Sequence, residues 1–214
     1  KSAGQCLDEL NTCSCRLRHL SEGTDSRARA SFHSLGVPDG RVAMTDALVG
    51  IHCVALQRAD FKLLARHGGG MVWSPLSNLL LYGKTADMEA AVAEGMTIGL
   101  GSDWSPSGSK SLLGELKAAH AYSEQNGRIF SARDIVAMAT RNAAKMLKWD
   151  QGLGSLEAGK RADLVVVRGT TADPYLQLIK ARESDISLVM IDGIRRYGLP
   201  SLMPDAPQLE DWKV

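Results

Sequence analysis

Residues 99–109, which read GLGSDWSPSGS, decide the fold. The run from Met96 to Leu100 is apolar, and a single carboxylate, Asp103, then opens a turn-rich segment with Trp104 behind it. This pattern predicts a buried strand that ends in a loop at Asp103. In parallel α/β proteins the loops at the carboxyl ends of the strands enclose the ligand site. Asp103 is therefore the first candidate functional residue, although an aspartate in this place can also simply cap a turn or a helix.

Composition and charge limit the classes of protein to which this chain can belong. The 214 residues carry 25 lysines and arginines against 24 acidic residues, and the basic residues form no run. This balance gives no sign of a nucleic-acid partner or a cationic membrane surface. No segment has the length and apolarity of a membrane span, and residues 1–10 lack a signal-peptide core. Four cysteines form neither a disulfide framework nor CxxC pairs, so we expect reduced thiols and a cytoplasmic protein, with Cys13 and Cys15 on one face of a strand.

Strand-like and helix-like segments alternate along the first part of the chain at a spacing of roughly 30 residues, which is typical of βα units in a parallel sheet or barrel. Glycine follows three of the four predicted helices, as expected at helix ends. The predicted strands lie at about 13–19, 47–53, 71–73 and 96–103, and the predicted helices at about 26–34, 59–67, 87–94 and 111–126.

The pattern changes after these four units. Residues 131–149 are predicted to form one helix, which Ser131 and Asp134 open in a capping-box arrangement. Residues 154–167, GSLEAGKRADLVVV, predict a strand, and a second strand near 188–191 meets a hairpin signal at Asp192 and Gly193. The proline-containing stretch from Leu199 onward is predicted to be an extended arm. We therefore divide the chain into residues 1–150 and a small β portion over 151–214.

Polar side chains follow each of the four predicted parallel strands. The carboxyl ends of such strands meet at one edge of the sheet, and two imidazoles with nearby carboxylates form a ligand set for a divalent metal such as zinc. A single histidine at a strand end is more often a core or capping residue, but four successive strands show the same feature. The residues are His19 and Glu22 after the first strand, His52 after the second, Trp73, Ser74 and Asn78 after the third, and Asp103 after the fourth.

The motifs HLSEG, GIHCVAL, WSPLSNLLLYG and GLGSDWSPSGS, followed by TRNAAKML and GSLEAGKRADLVVV, resemble the carboxyl-terminal half of an amidohydrolase-superfamily enzyme. The branch with cytosine and guanine deaminases and triazine hydrolases is the most similar. The resemblance extends from about Arg16 to about Gly198. It implies an α/β fold in which this chain supplies strands 5 to 8 of a (β/α)8 barrel and part of a small β-sandwich.

The resemblance also implies a role for each rim residue. His19 and Asp103 would be ligands of a zinc or iron ion, and Asp103 would also take a proton from the attacking water. Glu22 would transfer protons to the substrate, and His52 would orient the water or polarise the bond under attack. The substrate, a small heterocycle, would contact four residues: Trp73, Ser74, Asn78 and Trp104.

One family feature is missing from the sequence. Amidohydrolases carry an HxH pair on the first barrel strand, and this chain contains no HxH. We therefore expect a fragment of a metal-dependent hydrolase of carbon–nitrogen or carbon–halogen bonds that has little activity alone. The alternative is a non-catalytic α/β module that is stabilised by self-association. In both cases helices on only one face of the sheet would leave apolar surface, so we expect a homo-oligomer.

Overall fold

The computed structural model describes residues 2–203. Residues 204–214 of the predicted extended arm lie outside the described residues. The helices are α1 Ala3–Leu10, α2 Ser26–His33, α3 Arg58–Arg66, α4 Pro75–Tyr82, α5 Met88–Ala93, α6 Leu112–Gln125, α7 Ala132–Met138, α8 Arg141–Met146 and α9 Pro174–Lys180. The strands are β1 Arg16–Leu20, β2 Leu48–His52, β3 Gly70–Trp73, β4 Thr97–Leu100, β5 Leu164–Val167, β6 Ile186–Ile191 and β7 Ile194–Gly198.

The first four strands form the predicted parallel sheet, in the order β1-β2-β3-β4. Their register places His19 beside Ile51, Ile51 beside Val72, and Val72 beside Gly99. Because neighbours in a parallel register point to the same face, these four residues form one row across the sheet. The sheet therefore brings the ends of all four strands to one edge.

Helices pack on one face of this sheet, and α8 reaches the other face only beside β3 and β4. Leu17, Ile51 and Val72 on that second face stay partly or fully exposed. The Trp73 side chain is fully buried and packs against Tyr122 of α6, with ring centroids 5.4 Å apart. On the opposite face, a Cβ at Gly99 would meet the end of the Met146 side chain of α8. Glycine in β4 thus admits α8 against the sheet.

The predicted helix over residues 131–149 is two helices. The capping box of Ser131 and Asp134 is present, as predicted. The chain leaves the helical region at Thr140, whose φ is −129° and ψ is −99°, and α8 starts at the next residue. This break lets α7 contact α9 while α8 packs on β4.

Three helices were not predicted: α1, α4 and α9. The most important is α4, which lies between the predicted strand at 71–73 and the predicted helix at 87–94. Its signals are Pro75 at the first helical position and Gly83, with φ of 67°, immediately after its end. Two further corrections concern boundaries: β1 begins at Arg16, beyond Cys13 and Cys15, and β4 ends at Leu100, before Asp103.

The second sheet is antiparallel, in the order β5-β6-β7. The predicted hairpin joins β6 and β7 through Asp192 and Gly193, with φ of 54° and 76°, values typical of a two-residue hairpin turn. Lys117 of α6 donates to the carbonyl of Ala181 at 2.5 Å, just after α9.

All four cysteines are free, as expected, and no helix within residues 2–203 is long and apolar enough to cross a bilayer.

Candidate active site

Four of the predicted site residues meet at the carboxyl edge of the parallel sheet. One ligand atom each of His19, Glu22 and His52 lies within 4.8 Å of the other two. His52 Nε2 lies 3.6 Å from Glu22 Oε1 and 3.9 Å from Asp103 Oδ2. We refer to these four side chains as the rim cluster.

The backbone is unusual where the strands end. Four residues that are not glycine have positive φ there: Ser21 at 49°, His52 at 71°, Cys53 at 54° and Asp103 at 58°. Residues other than glycine rarely adopt this left-handed backbone conformation, and those that do concentrate at functional sites. The turns change the direction of the chain directly beside the rim cluster.

Asn78 orients His52. The Asn78 amide nitrogen donates to Thr85 Oγ1 at 2.9 Å, so its Oδ1 faces His52 Nδ1, also at 2.9 Å. An oxygen acceptor at this position requires the proton on Nδ1. His52 Nε2 is therefore the ring nitrogen that faces Glu22 and Asp103.

Asp103 is held as a carboxylate. Its Oδ2 accepts from Ser77 Oγ at 2.5 Å, and its Oδ1 accepts from the Trp104 backbone N–H at 2.8 Å. Desolvation raises the pKa of Asp103, but these hydrogen bonds and the nearby His52 and His19 outweigh it and lower the pKa below its ordinary value. Asp103 is therefore ionised at neutral pH and can accept a proton or bind a cation.

Glu22 has a phenol partner. Tyr82 of α4 donates from its hydroxyl to Glu22 Oε1 at 2.7 Å. Both residues line an open depression of about 390 Å³ beside the rim cluster, together with Arg27. Burial, the Glu22 contact and the charge of Asp103 raise the pKa of Tyr82 to about 12, so the phenol stays a hydrogen-bond donor at all ordinary pH values.

A buried carboxylate of α6 connects two segments of the site. Glu115 is fully buried and accepts from the backbone N–H of Leu76, in the first turn of α4, at 3.3 Å and from that of Ser109 at 3.1 Å. Burial, only partly offset by these hydrogen bonds, raises its pKa. Glu115 thereby fixes the loop that follows Asp103 relative to α4.

The sequence profile of the amidohydrolase family matches residues 17–195. The chain belongs to the amidohydrolase family. It is 31% identical over 199 residues to 5-methylthioadenosine/S-adenosylhomocysteine deaminase of Symbiobacterium thermophilum, covering 82% of this chain and 44% of that protein. It is 30% identical over 208 residues to S-triazine hydrolase of Gordonia rubripertincta, covering 90% of this chain and 43% of that protein.

Two solved structures of similar enzymes have the same fold as this chain. An adenosine deaminase from Xanthomonas campestris with bound zinc superposes with a TM-score of 0.75 at 23% identity, over 91% of this chain and 47% of that one. Atrazine chlorohydrolase from Arthrobacter aurescens, complexed with zinc, superposes with a TM-score of 0.71 at 26% identity, over 90% of this chain and 45% of that one. The parallel sheet of this amidohydrolase chain thus has the TIM-barrel-like fold. The chain spans less than half the length of these relatives.

The donor set of this amidohydrolase chain fits a divalent metal ion. The rim cluster offers two imidazoles and two carboxylates, the ligand types that zinc binds. Among the ion pairs of residues 2–203, neither Glu22 nor Asp103 has a lysine or arginine partner. A cation would compensate this negative charge.

The predicted substrate contacts need correction. Trp73, Ser74 and Asn78 are each at most 1% exposed and cannot contact a substrate in this structure. Trp73 belongs to the core beneath α6, and Asn78 orients His52. Trp104 is 68% exposed, so its predicted substrate contact stays a prediction.

Three functional contacts were missed from the sequence: those of Ser77, Tyr82 and Glu115. Ser77 and Tyr82 lie in the motif WSPLSNLLLYG, and Pro75, a typical first residue of a helix, could have indicated that this segment is helical. Glu115 gives no such signal, because a glutamate on a helix is normally exposed.

Proposed function

We propose that this chain is part of a metal-dependent hydrolase that breaks a carbon–nitrogen bond, or a related carbon–halogen bond, of a small heterocycle. The observation that carries the proposal is the convergence of His19, Glu22, His52 and Asp103 at one sheet edge. In this proposal β1 to β4 are barrel strands 5 to 8, and further metal ligands come from outside this chain. The deaminase and triazine hydrolase relatives support both the reaction class and the substrate class. The four free cysteines support a cytoplasmic location.

His19 and Asp103 are the residues that we assign to holding zinc or iron. A bound metal ion of this kind supplies an electrophile that brings the pKa of water toward neutrality. Ser77 and the Trp104 N–H keep both oxygens of Asp103 in fixed positions. Asp103 can then accept the proton of the attacking water without having to reorient.

Glu22 and His52 complete the chemistry on the substrate side. Glu22 is 31% exposed, so its carboxyl group can exchange protons with a bound substrate. His52 is almost fully buried and oriented by Asn78, and its Nε2 faces the reacting region. We assign Glu22 to proton delivery and His52 to orienting the water or polarising the bond under attack.

The substrate approaches from the exposed side of the rim cluster. The exposed Trp104 indole offers a flat surface for a heterocycle, and the depression at Glu22 and Tyr82 gives room for a substituent. This arrangement supports a small heterocyclic substrate, with the scissile substituent close to Glu22.

Metal analysis tests the proposal. The complete protein should contain stoichiometric zinc or iron and should hydrolyse amino- or chloro-substituted purines or triazines. His19→Ala should lower metal affinity by more than the roughly 10- to 100-fold that is typical for losing a residue that only orients a ligand, because it removes a ligand itself. His67→Ala, at an exposed position after α3, is the matched control and should bind normally. Equal metal binding by both variants would contradict the assignment of His19.

Self-association without catalysis is the second candidate function of the isolated chain. Leu17, in β1, is 51% exposed, and β1 and β4 are the edge strands of the sheet within residues 2–203. Exposed edges and apolar surface favour pairing with a second copy. Sedimentation at micromolar concentration should therefore show a dimer or larger oligomer. A monomer that binds no hydrophobic dye would contradict this candidate.

A further inference from the structure

Helix α4 contacts three of the four members of the rim cluster. It is a short helix that starts directly after β3, and Glu115 of α6 accepts a hydrogen bond from its first turn. One rigid element therefore determines the orientation of three reacting groups. The contacts are Ser77 Oγ to Asp103 Oδ2 at 2.5 Å, Asn78 Oδ1 to His52 Nδ1 at 2.9 Å, and Tyr82 hydroxyl to Glu22 Oε1 at 2.7 Å.

We propose that Tyr82 is a positioning residue that holds Glu22 for protonation of a basic leaving group. The inference rests on the proposed function and deepens it. Tyr82 engages Oε1 of Glu22, and the same oxygen lies 3.6 Å from His52 Nε2. Glu22 Oε2 has no hydrogen-bond partner within the described part of the chain, so it is the oxygen available to a substrate.

Tyrosine suits this role because it is a permanent donor. The phenol is held beside two carboxylates, Glu22 and Asp103, and the raised pKa of about 12 keeps its proton in place throughout the working range of an enzyme. The contact also joins the loop after β1 to the last residue of α4. Phenylalanine would preserve the ring packing and remove only the hydrogen bond.

The proton requirement differs between leaving groups. When water replaces an amino group, the new carbon–oxygen bond forms, the carbon–nitrogen bond breaks, and the departing amine must gain a proton to leave as ammonia. When water replaces chlorine, chloride leaves without a proton. A residue that positions the proton donor therefore matters for amines and much less for chlorides.

Two probes of equal shape measure this difference in the complete protein: adenosine and 6-chloropurine riboside. Tyr82→Phe should lower kcat for adenosine by about 10-fold, the typical loss for a hydrogen bond to a charged group, and for the chloride by about 2-fold or less. Metal content and KM should change little. Tyr175→Phe, at a partly exposed position of α9, is the matched control and should leave both rates unchanged.

The outcomes separate the two proposals. Equal losses with both probes would show that Tyr82 is merely structural and would overturn this inference alone. An unmodified complete protein that turns over neither these probes nor amino- or chloro-substituted triazines would instead contradict the proposed function.

A second measurement needs no turnover and uses this chain itself. With ¹³Cζ-labelled tyrosine, the resonance that disappears in Tyr82→Phe belongs to Tyr82. It should move in Glu22→Gln, which alters the hydrogen-bond acceptor, and stay in place in Asp25→Asn, at a position that lines the same depression. A Tyr82 resonance unaffected by Glu22→Gln would overturn the inference.

Discussion

Two acidic centres of this chain differ in how their charge is balanced. Between α2 and α3, Asp60 accepts from Arg29 through both of its oxygens, at 2.7 and 3.1 Å, and from the backbone N–H of Gln57 at 3.0 Å. In the rim cluster, Glu22 and Asp103 have neutral hydroxyl donors, Tyr82 and Ser77, and the imidazole of His52. The first centre is electrostatically complete, whereas the second still offers negative charge to a cation.

The difference distinguishes a stabilising polar group from a reactive one. Desolvation would raise the pKa of Asp60, but Arg29, Gln57 and His33 lower it. Its backbone at the start of α3 is regular, whereas His52 and Asp103 adopt left-handed conformations. A compensated carboxylate on regular backbone contributes to folding, and an uncompensated group on strained backbone indicates function.

The largest expected effect comes from removing the charge of the rim carboxylate. Asp103→Asn in the complete protein should lower kcat by about 1,000-fold or more with the fold intact, because an amide cannot accept a proton and is a poorer metal ligand. Turnover and circular dichroism check this. Asp8→Asn, at an exposed position of α1, is the control. Normal turnover by Asp103→Asn would remove the proposed contrast between the two centres.

The compensated centre should instead affect stability. Asp60→Ala should lower the free energy of unfolding by about 1–2 kcal/mol, since it removes a helix cap and hydrogen bonds of a charged group. Urea unfolding measures this, and metal binding should not change. Asp60→Asn keeps an acceptor for Gln57 and should lose less. If Asp60→Ala were as stable as the unmodified chain, Asp60 would have no stabilising role.

The smallest expected effect is on how the stabilisation by Asp60 depends on pH. Because the folded-state pKa of Asp60 lies below its ordinary value of 3.8, its stabilisation is present above that value and is lost as the pH falls through the lower folded pKa. The stability advantage over Asp60→Asn should therefore be present at pH 7 and shrink below about pH 4. An advantage that stayed constant down to pH 2 would contradict this assignment.

Much of the framework could be predicted from local patterns. The four parallel strands, the main helices and the β6–β7 hairpin follow from apolar runs, glycine stops and the Asp192–Gly193 turn. The split at Thr140 and the burial of Trp73 could not be predicted in this way. Both depend on which neighbour packs against the segment, and a local pattern does not contain that information.

The sequence by itself determined which polar residues end each strand, because side chains at the carboxyl ends of parallel strands necessarily share one edge. His19, Glu22, His52 and Asp103 could therefore be selected without coordinates. Only the tertiary structure decided how these groups are held. The contacts from α4 to Asp103, His52 and Glu22 join residues 26, 26 and 60 positions apart. Such contacts depend on how α4 packs between β3 and Glu115, which is a property of the folded chain.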